Sequence, residues 1–374
     1  MRPNRKTATG ARTKRVVRHK IQVLILGEGG TIQMGPKKMR GGQIRYAPPK
    51  SAAQFRANLM EALLPFRDIA EFTFRPVSTA DSINKQPEDW INMIHRVNQA
   101  YLEGFDLVII THGTDTLAFS ALALCLGTQG LEPRQHYLPF PCVFTGSQNP
   151  VGVPGGDGIR NIQNAVRTGL EAYRCGVADV LVVFDAAVLP GHYTMKVSER
   201  RFTAFDCPGR PAVGWIDAKG PHLDTSRLRL RHDVVQHDMT AAAKFDTSGI
   251  LDIVANPGFN PRLLRSVIRT PELRTLILTS HGEGNICHLG KRSLVPLIRE
   301  ARERGVLVLI TSPYDAAEIS GTTYQAAEIA REAGAIHSGR LNMVGTWTLP
   351  AWLQANFPKA TAEQLAEKLV ILAG

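Results

Sequence analysis

The chain has 374 residues, which is longer than one hydrophobic core usually supports, so we expect two domains. Hydrophobic residues make up 44% of it and charged residues 21%, which is typical of a globular protein. Its longest apolar runs, such as 22–27 and 180–184, are far shorter than the ~20 residues that a membrane helix needs. Composition therefore argues against a membrane protein, and we expect no membrane partner.

The formal net charge of +11 is concentrated at the beginning of the chain. Residues 1–20 contain eight lysines and arginines and no acid, so residues 21–374 are nearly balanced in charge. This segment lacks the apolar stretch of a secretory signal, and we interpret it as a basic, disordered arm. Its charge density leaves open a contact with nucleic acid, which we expect at no other part of the chain.

The five cysteines form no CxxC pair and are too sparse for a disulfide framework. They favour buried thiols in a reducing compartment. We therefore expect a cytoplasmic protein.

Short β-branched runs alternate with amphipathic segments between residues 21 and 212. The predicted strands are 22–27, 71–77, 107–113, 142–146 and 180–188. The predicted helices, which have the apolar spacing of helices that pack one face, are 51–64, 87–103, 115–127 and 158–174. This alternation predicts a larger N-terminal α/β domain, 21–212, built on a parallel sheet.

The periodic pattern fades over 213–247, where proline, glycine and charged residues crowd together, and we interpret this segment as a linker. The alternation returns in 248–374. The predicted strands there are 250–255, 273–280 and 306–312, and the predicted helices are 261–269, 291–304, 322–333 and 361–373. The sequence therefore predicts a smaller C-terminal α/β domain and a two-domain α/β fold class.

Two glycine-rich segments fail as nucleotide-binding motifs. The segment 27–32 has Ile32 where a dinucleotide-binding loop has its third glycine, and the glycines of 284–291 are wrongly spaced for a phosphate-binding loop. The ligand-type residues His281, Cys287 and His288 lack a carboxylate at the spacing of a zinc site. We therefore expect neither an organic cofactor nor a metal.

Polar residues follow the predicted strands instead. Thr31 and its two preceding glycines follow the first strand, Thr114 and Asp115 follow the third, and Lys196 follows the fifth. The carboxyl ends of parallel strands meet at one edge of a sheet, where ligands bind. Each residue alone has an ordinary explanation, because Thr and Asp cap helices and most lysines lie on the surface. Together they supply the parts that a hydroxyl nucleophile needs, namely a base and an oxyanion site at a helix start.

The segments LGEGGTI (26–32) and ITHGTDTLAFSALAL (110–124) resemble the two signatures of the asparaginase/glutaminase amidohydrolases. Further similarity lies in PEDW (87–90), TGSQNP (145–150), YTMK (193–196) and GEGN (282–285). The resemblance spans residues 21 to about 345 and is greatest to the cytoplasmic, type I bacterial branch.

This resemblance implies a role for each matching position. Thr31 would be the primary nucleophile, which attacks a side-chain amide and forms an acyl-enzyme that water hydrolyses, with release of ammonia. Thr114, Asp115 and Lys196 would form a second catalytic cluster, in which Asp115 accepts the α-ammonium group of the substrate.

Three further residues take roles by the same resemblance. Ser82 would hold the α-carboxylate of the substrate. Tyr46 would belong to a mobile lid, 33–47, and lie near Thr31 to exclude water when the lid closes. Asn285 would reach the site of a neighbouring subunit, which implies a homodimer or a homotetramer.

The sequence departs from the family at the expected substrate loop, residues 80–86, and at the lid. Ile83 stands where relatives carry a polar side chain beside the substrate carboxylate, which leaves the substrate open between asparagine and a related amide. Glu283 and Glu318 bring acid into loops near the expected interface, where we interpret them as surface residues. The lid carries cations that suit a substrate with additional negative charge, namely Lys37, Lys38, Arg40 and Arg45.

We therefore expect a hydrolase that cleaves asparagine or a related side-chain amide. One alternative is the glutaminase subunit of a tRNA-dependent amidotransferase; the basic arm favours it, and the lack of a small N-terminal barrel and of a TGAQR-type loop disfavours it. Another alternative is a catalytically weak protein that senses an amino acid and contacts nucleic acid through the arm. Release of ammonia distinguishes the enzymes from the sensor.

Overall fold

The computed structural model describes residues 20–131, 135–235, 238–314, 319–322 and 324–373. Apart from Lys20, the basic arm expected at 1–20 lies outside the described residues, and so does Glu318. Within those described ranges, no helix combines the length and the apolar character that crossing a membrane requires.

The larger domain begins with alternating strands and helices. Its strands are β1 (Ile21–Gly27), β2 (Gly35–Lys38), β3 (Ile44–Ala47), β4 (Ala70–Pro76), β5 (Leu107–Thr111), β6 (Cys142–Thr145), β7 (Val180–Phe184), β8 (Ala187–Pro190), β9 (Met195–Lys196), β10 (Phe205–Asp206), β11 (Gly214–Asp217) and β12 (Gly220–Leu223). Its helices are α1 (Ala52–Leu63), α2 (Pro87–Leu102), α3 (Leu117–Gly127) and α4 (Gly158–Arg174). Short 3₁₀ turns at Thr31–Gln33 and Ser82–Asn84 follow β1 and β4.

Eight of these strands form one sheet in the order β12-β11-β8-β7-β6-β5-β1-β4. From β7 to β4 all neighbouring strands are parallel, and antiparallel pairing adds β8, β11 and β12 at one side. Strands β5 and β7 are buried along their whole length, as strands are when both faces of a parallel sheet are covered. The chain passes from β1 to β4 and then crosses to β5 on the other side of β1. The topological switch point therefore lies between β1 and β5.

The segment predicted as one strand at 180–188 is a hairpin of two strands. Strands β7 and β8 pair antiparallel, and the turn between them places Asp185 in the left-handed region at φ 53°. Aspartate tolerates this conformation better than most residues because its short polar side chain can bond locally. Apolar residues on both sides of the turn hid the reversal, because a fully buried strand has no alternation for a turn to interrupt.

The segment predicted as a linker, 213–247, begins with two strands instead. Strands β11 and β12 form a hairpin, and β11 pairs with β8. Both strands are short, and only Gly214 of β11 is buried, so no run of alternating apolar residues marks them. The large sheet therefore continues past residue 212, the predicted end of the larger domain.

The second domain is built on a smaller parallel sheet. Its strands are β13 (Ile250–Val254), β14 (Thr275–Thr279), β15 (Leu307–Thr311) and β16 (Ile336–His337), and they pair in that order. Its helices are α5 (Pro261–Ile268), α6 (Val295–Glu303), α7 (Gln325–Glu332), α8 (Met343–Asn356) and α9 (Ala362–Ala373). The two sheets confirm the predicted two-domain α/β fold class.

Helix α8 joins the two domains, and no helix is predicted there from the sequence. It is buried on nearly all sides and contains Pro350, so it lacks the one-sided apolar pattern by which a surface helix is recognised. It packs against α3 of the larger domain. The indole of Trp352 is buried in the shared hydrophobic core and donates a hydrogen bond of 2.8 Å to the carbonyl of Ala242. The core is thus continuous between the domains.

The cysteines are free thiols, but they are not all buried as expected. The buried cysteines are Cys125, Cys142 and Cys207, whereas the exposed ones are Cys175 and Cys287. Cys175 follows the last turn of α4 and Cys287 lies in a loop, so both fall outside the packed faces of the helices and strands.

Candidate active site

Two glycines bring the loops after β1 and β5 into contact at the switch point. Gly27 and Thr111, the last residues of β1 and β5, are partners in the sheet. Three residues farther on, a Cβ atom at Gly30 would lie only 2.3 Å from the Cα of Gly113, and Gly30 has φ 88°. Thr31 and Thr114 directly follow these glycines, so the structure places both threonines at the same edge of the sheet.

Thr31 begins the 3₁₀ turn after β1 and is half-buried. Its carbonyl accepts a hydrogen bond of 3.0 Å from the amide of Met34, which closes the turn. Gln33, in the same turn, donates to the hydroxyl of Thr111 at the end of β5, at 3.2 Å. Main-chain and side-chain bonds therefore hold the backbone of Thr31 against β5.

Lys196 lies in β9 and points its amine at the loop after β5. Its Nζ donates to Oγ1 of Thr114 at 3.0 Å, to Oδ1 of Asp115 at 2.6 Å and to Oε2 of Glu199 at 2.7 Å. The lysine side chain is only 11% exposed, whereas Asp115 is 47% and Glu199 is 78% exposed. The structure thus brings together Thr114, Asp115 and Lys196 as predicted, and it adds Glu199.

The charge of this cluster is set by its carboxylates. Burial lowers the pKa of Lys196, but the hydrogen bonds and charges of Asp115 and Glu199 outweigh burial and raise the pKa above its ordinary value. The side chain is therefore an ammonium ion in this arrangement. Thr114 accepts its hydrogen bond and is free to donate its own hydroxyl hydrogen.

A cavity of about 320 Å³ opens beside Lys196. Its walls come from the cluster itself and from two helices, with Ala118 and Phe119 on α3 and Met343 and Val344 on α8. The second domain therefore forms part of the surroundings of the lysine.

Ser82 packs against the glycine contact, and its role in holding a substrate carboxylate stays a prediction. A Cβ atom at Gly113 would lie 2.6 Å from its Oγ, and its carbonyl accepts a hydrogen bond of 2.7 Å from Thr116. Its hydroxyl is buried and has no hydrogen-bond partner among the described residues. Ile83 is 65% exposed and adds an apolar surface next to it.

A buried ion pair beneath the substrate loop was not predicted from the sequence. The Nζ of Lys85 lies 2.6 Å from Oε2 of Glu28, and both side chains are at most 5% exposed. Burial raises the pKa of Glu28, and the charge and hydrogen bond of Lys85 counteract this. Glu28 precedes the Gly29–Thr31 loop and Lys85 ends the Ser82–Asn84 turn, so the pair joins the two loops of the site.

His112 is buried in the same region and is neutral. Burial lowers its pKa to about 4, with a smaller contribution from the charge of Lys85. Its Nδ1 donates to the carbonyl of Gly113 at 2.8 Å. This bond supports the backbone just before Thr114.

The loop after β6 is held by the start of α4. The carboxylate of Asp157 accepts bonds of 2.9 Å from the amides of Gln148 and Asn149. Asn161 donates to the carbonyl of Gly146 at 2.9 Å. The side chain of Gln148 in turn donates to the carbonyl of Arg201 at 3.1 Å, which ties this loop to the turn that follows Lys196.

The segment expected to form a lid, 33–47, contains a hairpin of β2 and β3, and Tyr46 lies in the second strand. Its hydroxyl donates to the carbonyl of Gly152 at 3.2 Å, so it contacts the loop after β6 rather than the Thr114–Lys196 pair. Its approach to Thr31 stays a prediction. The basic residues of the lid are exposed, namely Lys37, Lys38, Arg40 and Arg45.

Asn285 lies in the second domain, in the loop after β14. Its main-chain amide donates to the carbonyl of His281 at 2.9 Å. Its side-chain Oδ1 is buried and has no partner among the described residues. Its contribution to a neighbouring subunit stays a prediction. Glu283 is half-buried in the same loop. Across the part of the chain that the structure describes, no group of three or more His, Cys, Asp or Glu side chains is arranged to hold a metal ion.

Residues 22–229 match the protein family described as Asparaginase, N-terminal. The chain is 30% identical over 332 residues to the L-asparaginase of Thermococcus kodakarensis, covering 89% of this chain and 92% of that protein. The solved structure of the thermostable L-asparaginase from that organism has a TM-score of 0.74 to this structure at 26% identity, covering 93% of this chain and 97% of the other.

Two other proteins are also similar to this chain. The structure of L-asparaginase I from Vibrio cholerae has a TM-score of 0.76 at 22% identity, covering 94% of this chain and 97% of that one, and supports the fold alone. One component of the glutamyl-tRNA(Gln) amidotransferase of Methanosarcina mazei is 26% identical over 330 residues, covering 84% of this chain and 69% of that protein.

Proposed function

The chain belongs to the asparaginase family of amidohydrolases, and we propose that it hydrolyses the side-chain amide of L-asparagine, or of a related amide, to the acid and ammonia. The hydrogen bond of 3.0 Å between Lys196 and Thr114, at the same sheet edge as Thr31, is the observation that carries this proposal. It pairs the hydroxyl of Thr114 with the side chain of Lys196, and a hydroxyl nucleophile needs a neighbouring base of this kind for its activation.

The proposed reaction has two steps. The hydroxyl oxygen of Thr31 attacks the amide carbon, and its proton passes to a base. The amide nitrogen then takes up a proton and leaves as ammonia, which gives an acyl ester on Thr31. In the second step water attacks the ester, releases the acid and restores the hydroxyl. In this scheme Thr114 and the neutral form of Lys196 accept and return the proton.

Substrate binding follows from the charges around the threonines. Asp115 is 47% exposed and offers a carboxylate to an α-ammonium group. Ser82 requires a small movement of the substrate loop to expose its buried hydroxyl to an α-carboxylate. Ile83 replaces a polar neighbour there, and losing one hydrogen bond to a charged group costs about 1.5–3 kcal/mol. This favours testing related amides along with asparagine.

The direct test is release of ammonia by the purified protein from asparagine, glutamine and small amides. We expect Thr31→Ala to abolish turnover while the circular dichroism spectrum and melting temperature stay near those of the wild type. Thr31→Ser is the matched control, because it keeps a hydroxyl and should retain measurable turnover. Substantial activity in Thr31→Ala would exclude Thr31 as the nucleophile.

A second candidate is the glutaminase subunit of a tRNA-dependent amidotransferase. The similarity to the amidotransferase component of Methanosarcina mazei, over 84% of this chain, favours it. Glutamine would then be cleaved in preference to asparagine, and turnover would increase when a partner protein binds. If ligands bind and no ammonia is released from any amide, the protein is instead a sensor.

We also propose that the protein assembles as a homodimer or homotetramer. By the family resemblance, Asn285 is the residue through which one subunit would reach the site of another. Sedimentation analysis of the wild type and of Asn285→Ala, combined with ammonia release, tests this: we expect an oligomer in both and reduced turnover in the variant. A fully active monomer would contradict it.

A further inference from the structure

The turn after β9 places a second carboxylate on Lys196. Oε2 of Glu199 accepts from Nζ at 2.7 Å, a distance comparable to the 2.6 Å of the Asp115 bond. We propose that Glu199 is a positioning residue that holds Lys196 as an ammonium ion and so sets the pH range in which the lysine acts as a base. This inference rests on the proposed function, because it assigns Lys196 a proton-transfer role.

The backbone of the turn is ordered so that Glu199 returns to Lys196. The hydroxyl of Ser198 accepts from the amides of Arg200 and Arg201 at 3.3 and 3.0 Å. The amide of Val197 bonds to the carbonyl of Ala204 at 2.8 Å, which closes the turn between β9 and β10. Gln148 holds the carbonyl of Arg201 from the loop after β6. These bonds reduce the entropy cost of keeping an exposed glutamate in one place.

Two of the elements packed against Lys196 bring a carboxylate to it, whereas β10 places the apolar side chain of Phe205 opposite it. The loop before α3 contributes Asp115, and the turn after β9 contributes Glu199. The cavity walls on α3 and α8 are formed by apolar side chains. Among the residues described there, two carboxylates therefore face one ammonium ion. The second carboxylate stabilises the charged form beyond what Asp115 does alone.

Binding of the substrate changes this balance. A substrate ammonium at Asp115 withdraws one acceptor from Lys196 and adds a positive charge nearby, and both changes favour the neutral amine. The lysine then releases a proton to water and can accept the hydroxyl proton of Thr114. Glu199 opposes this release, because its negative charge remains on Lys196. The strength of that opposition determines how alkaline the solution must be for rapid turnover.

The test compares Glu199→Gln with Asp206→Asn. Asp206 is an exposed acid of β10 that lies opposite Met195, so its substitution removes the same charge from the neighbouring strand. The pKa of Lys196 is measured by ¹⁵N NMR of its Nζ, with Lys196→Met to assign the signal. The pH profile of kcat/KM for the best amide is recorded for each variant.

We expect Glu199→Gln to lower the pKa of Lys196 by about one unit. A nearby opposite charge shifts a pKa by about 1–3 units, and the effect should lie at the lower end of this range because Glu199 is exposed. At pH values well below the pKa of Lys196, where the neutral amine limits the rate, kcat/KM of Glu199→Gln should then be about tenfold higher than that of the wild type. Asp206→Asn should change neither quantity. Glu199→Ala, which also removes the acceptor, should give a shift in the same direction.

An unchanged pKa of Lys196 in both Glu199 variants would overturn the inference, and so would an equal shift in Asp206→Asn. The NMR measurement does not require turnover. A lowered pKa in a protein that releases no ammonia would contradict the proposed hydrolysis and still support the coupling between Glu199 and Lys196. The two failures are therefore distinguishable.

Discussion

In both sheets of this protein hydroxyl side chains lie at the carboxyl ends of parallel strands, but their hydrogen bonds differ. At the edge of the second sheet, Thr279 donates to Oδ1 of Asp252 at 2.9 Å, and Ser338 donates to the hydroxyl of Thr311 at 3.3 Å. At the edge of the large sheet, Thr114 accepts from Lys196 at 3.0 Å. The hydroxyl of Thr279 is engaged as a donor to Asp252, whereas the hydroxyl of Thr114 accepts from Lys196 and keeps its own hydrogen available for donation.

The difference comes from an element outside the run of parallel strands. Lys196 lies in the short strand β9, which pairs with β10 rather than with either parallel sheet. In the proposed mechanism, the position of a threonine after a strand is therefore not sufficient. The mechanism also requires the lysine that a separate segment places against Thr114.

Removing this cation should have the largest effect. We expect Lys196→Met to lower kcat by about 10²–10⁴-fold, because proton transfer by a positioned side chain contributes this much to enzyme rates. Steady-state ammonia release measures the loss, and circular dichroism checks the fold. A change of less than tenfold would reduce Lys196 to a structural role and weaken the contrast between the two edges.

Replacing a threonine with valine at the edge of each sheet compares the two edges directly. We expect Thr114→Val to lower kcat by about 10²-fold or more, because it removes the oxygen that Lys196 contacts. Thr279→Val should leave kcat within about twofold of the wild type, since its hydroxyl bonds Asp252 in the other domain. Equal losses in the two variants would show that the edges are not functionally distinct.

The buried ion pair of the larger domain provides a stability test. Lys85→Met leaves Glu28 buried without its cation, and we expect the free energy of unfolding to fall by about 3–5 kcal/mol. Adding Glu28→Leu should recover part of the loss, because the unpaired charge is then absent. Urea denaturation measures both values. If Lys85→Met were as stable as the wild type, the ion pair would not hold the two site loops together.

The smallest effect concerns acid stability. His112 has a pKa of about 4 in the folded protein, below the ordinary value of 6.5, so the unfolded chain binds a proton that the folded chain does not. Its contribution to stability is present above pH 6.5 and is lost as the pH falls towards 4. We expect His112→Gln to reduce the slope of unfolding free energy in this window by up to about 1.4 kcal/mol per pH unit. Equal slopes would contradict a buried neutral histidine.

Much of the fold and part of the site could be predicted from the sequence. Buried strands and amphipathic helices have characteristic periods, and the β1–β5 edge follows from them together with the family motifs. The partners of those motifs could not be predicted. Glu28 and Lys85 lie 57 positions apart, and the contact between them depends on how two loops pack. Glu199 lies three residues after Lys196, but only the reversal of the turn directs it back to the amine.

The backbone contact between Gly30 and Gly113 has a consequence for variation in this protein. Since a Cβ atom at Gly30 would approach the opposite chain to 2.3 Å, no side chain separates the two loops. The spacing of Thr31 and Thr114 then depends on a direct main-chain contact. One added methyl group at residue 30 would therefore force apart the two loops and the hydroxyls that follow them.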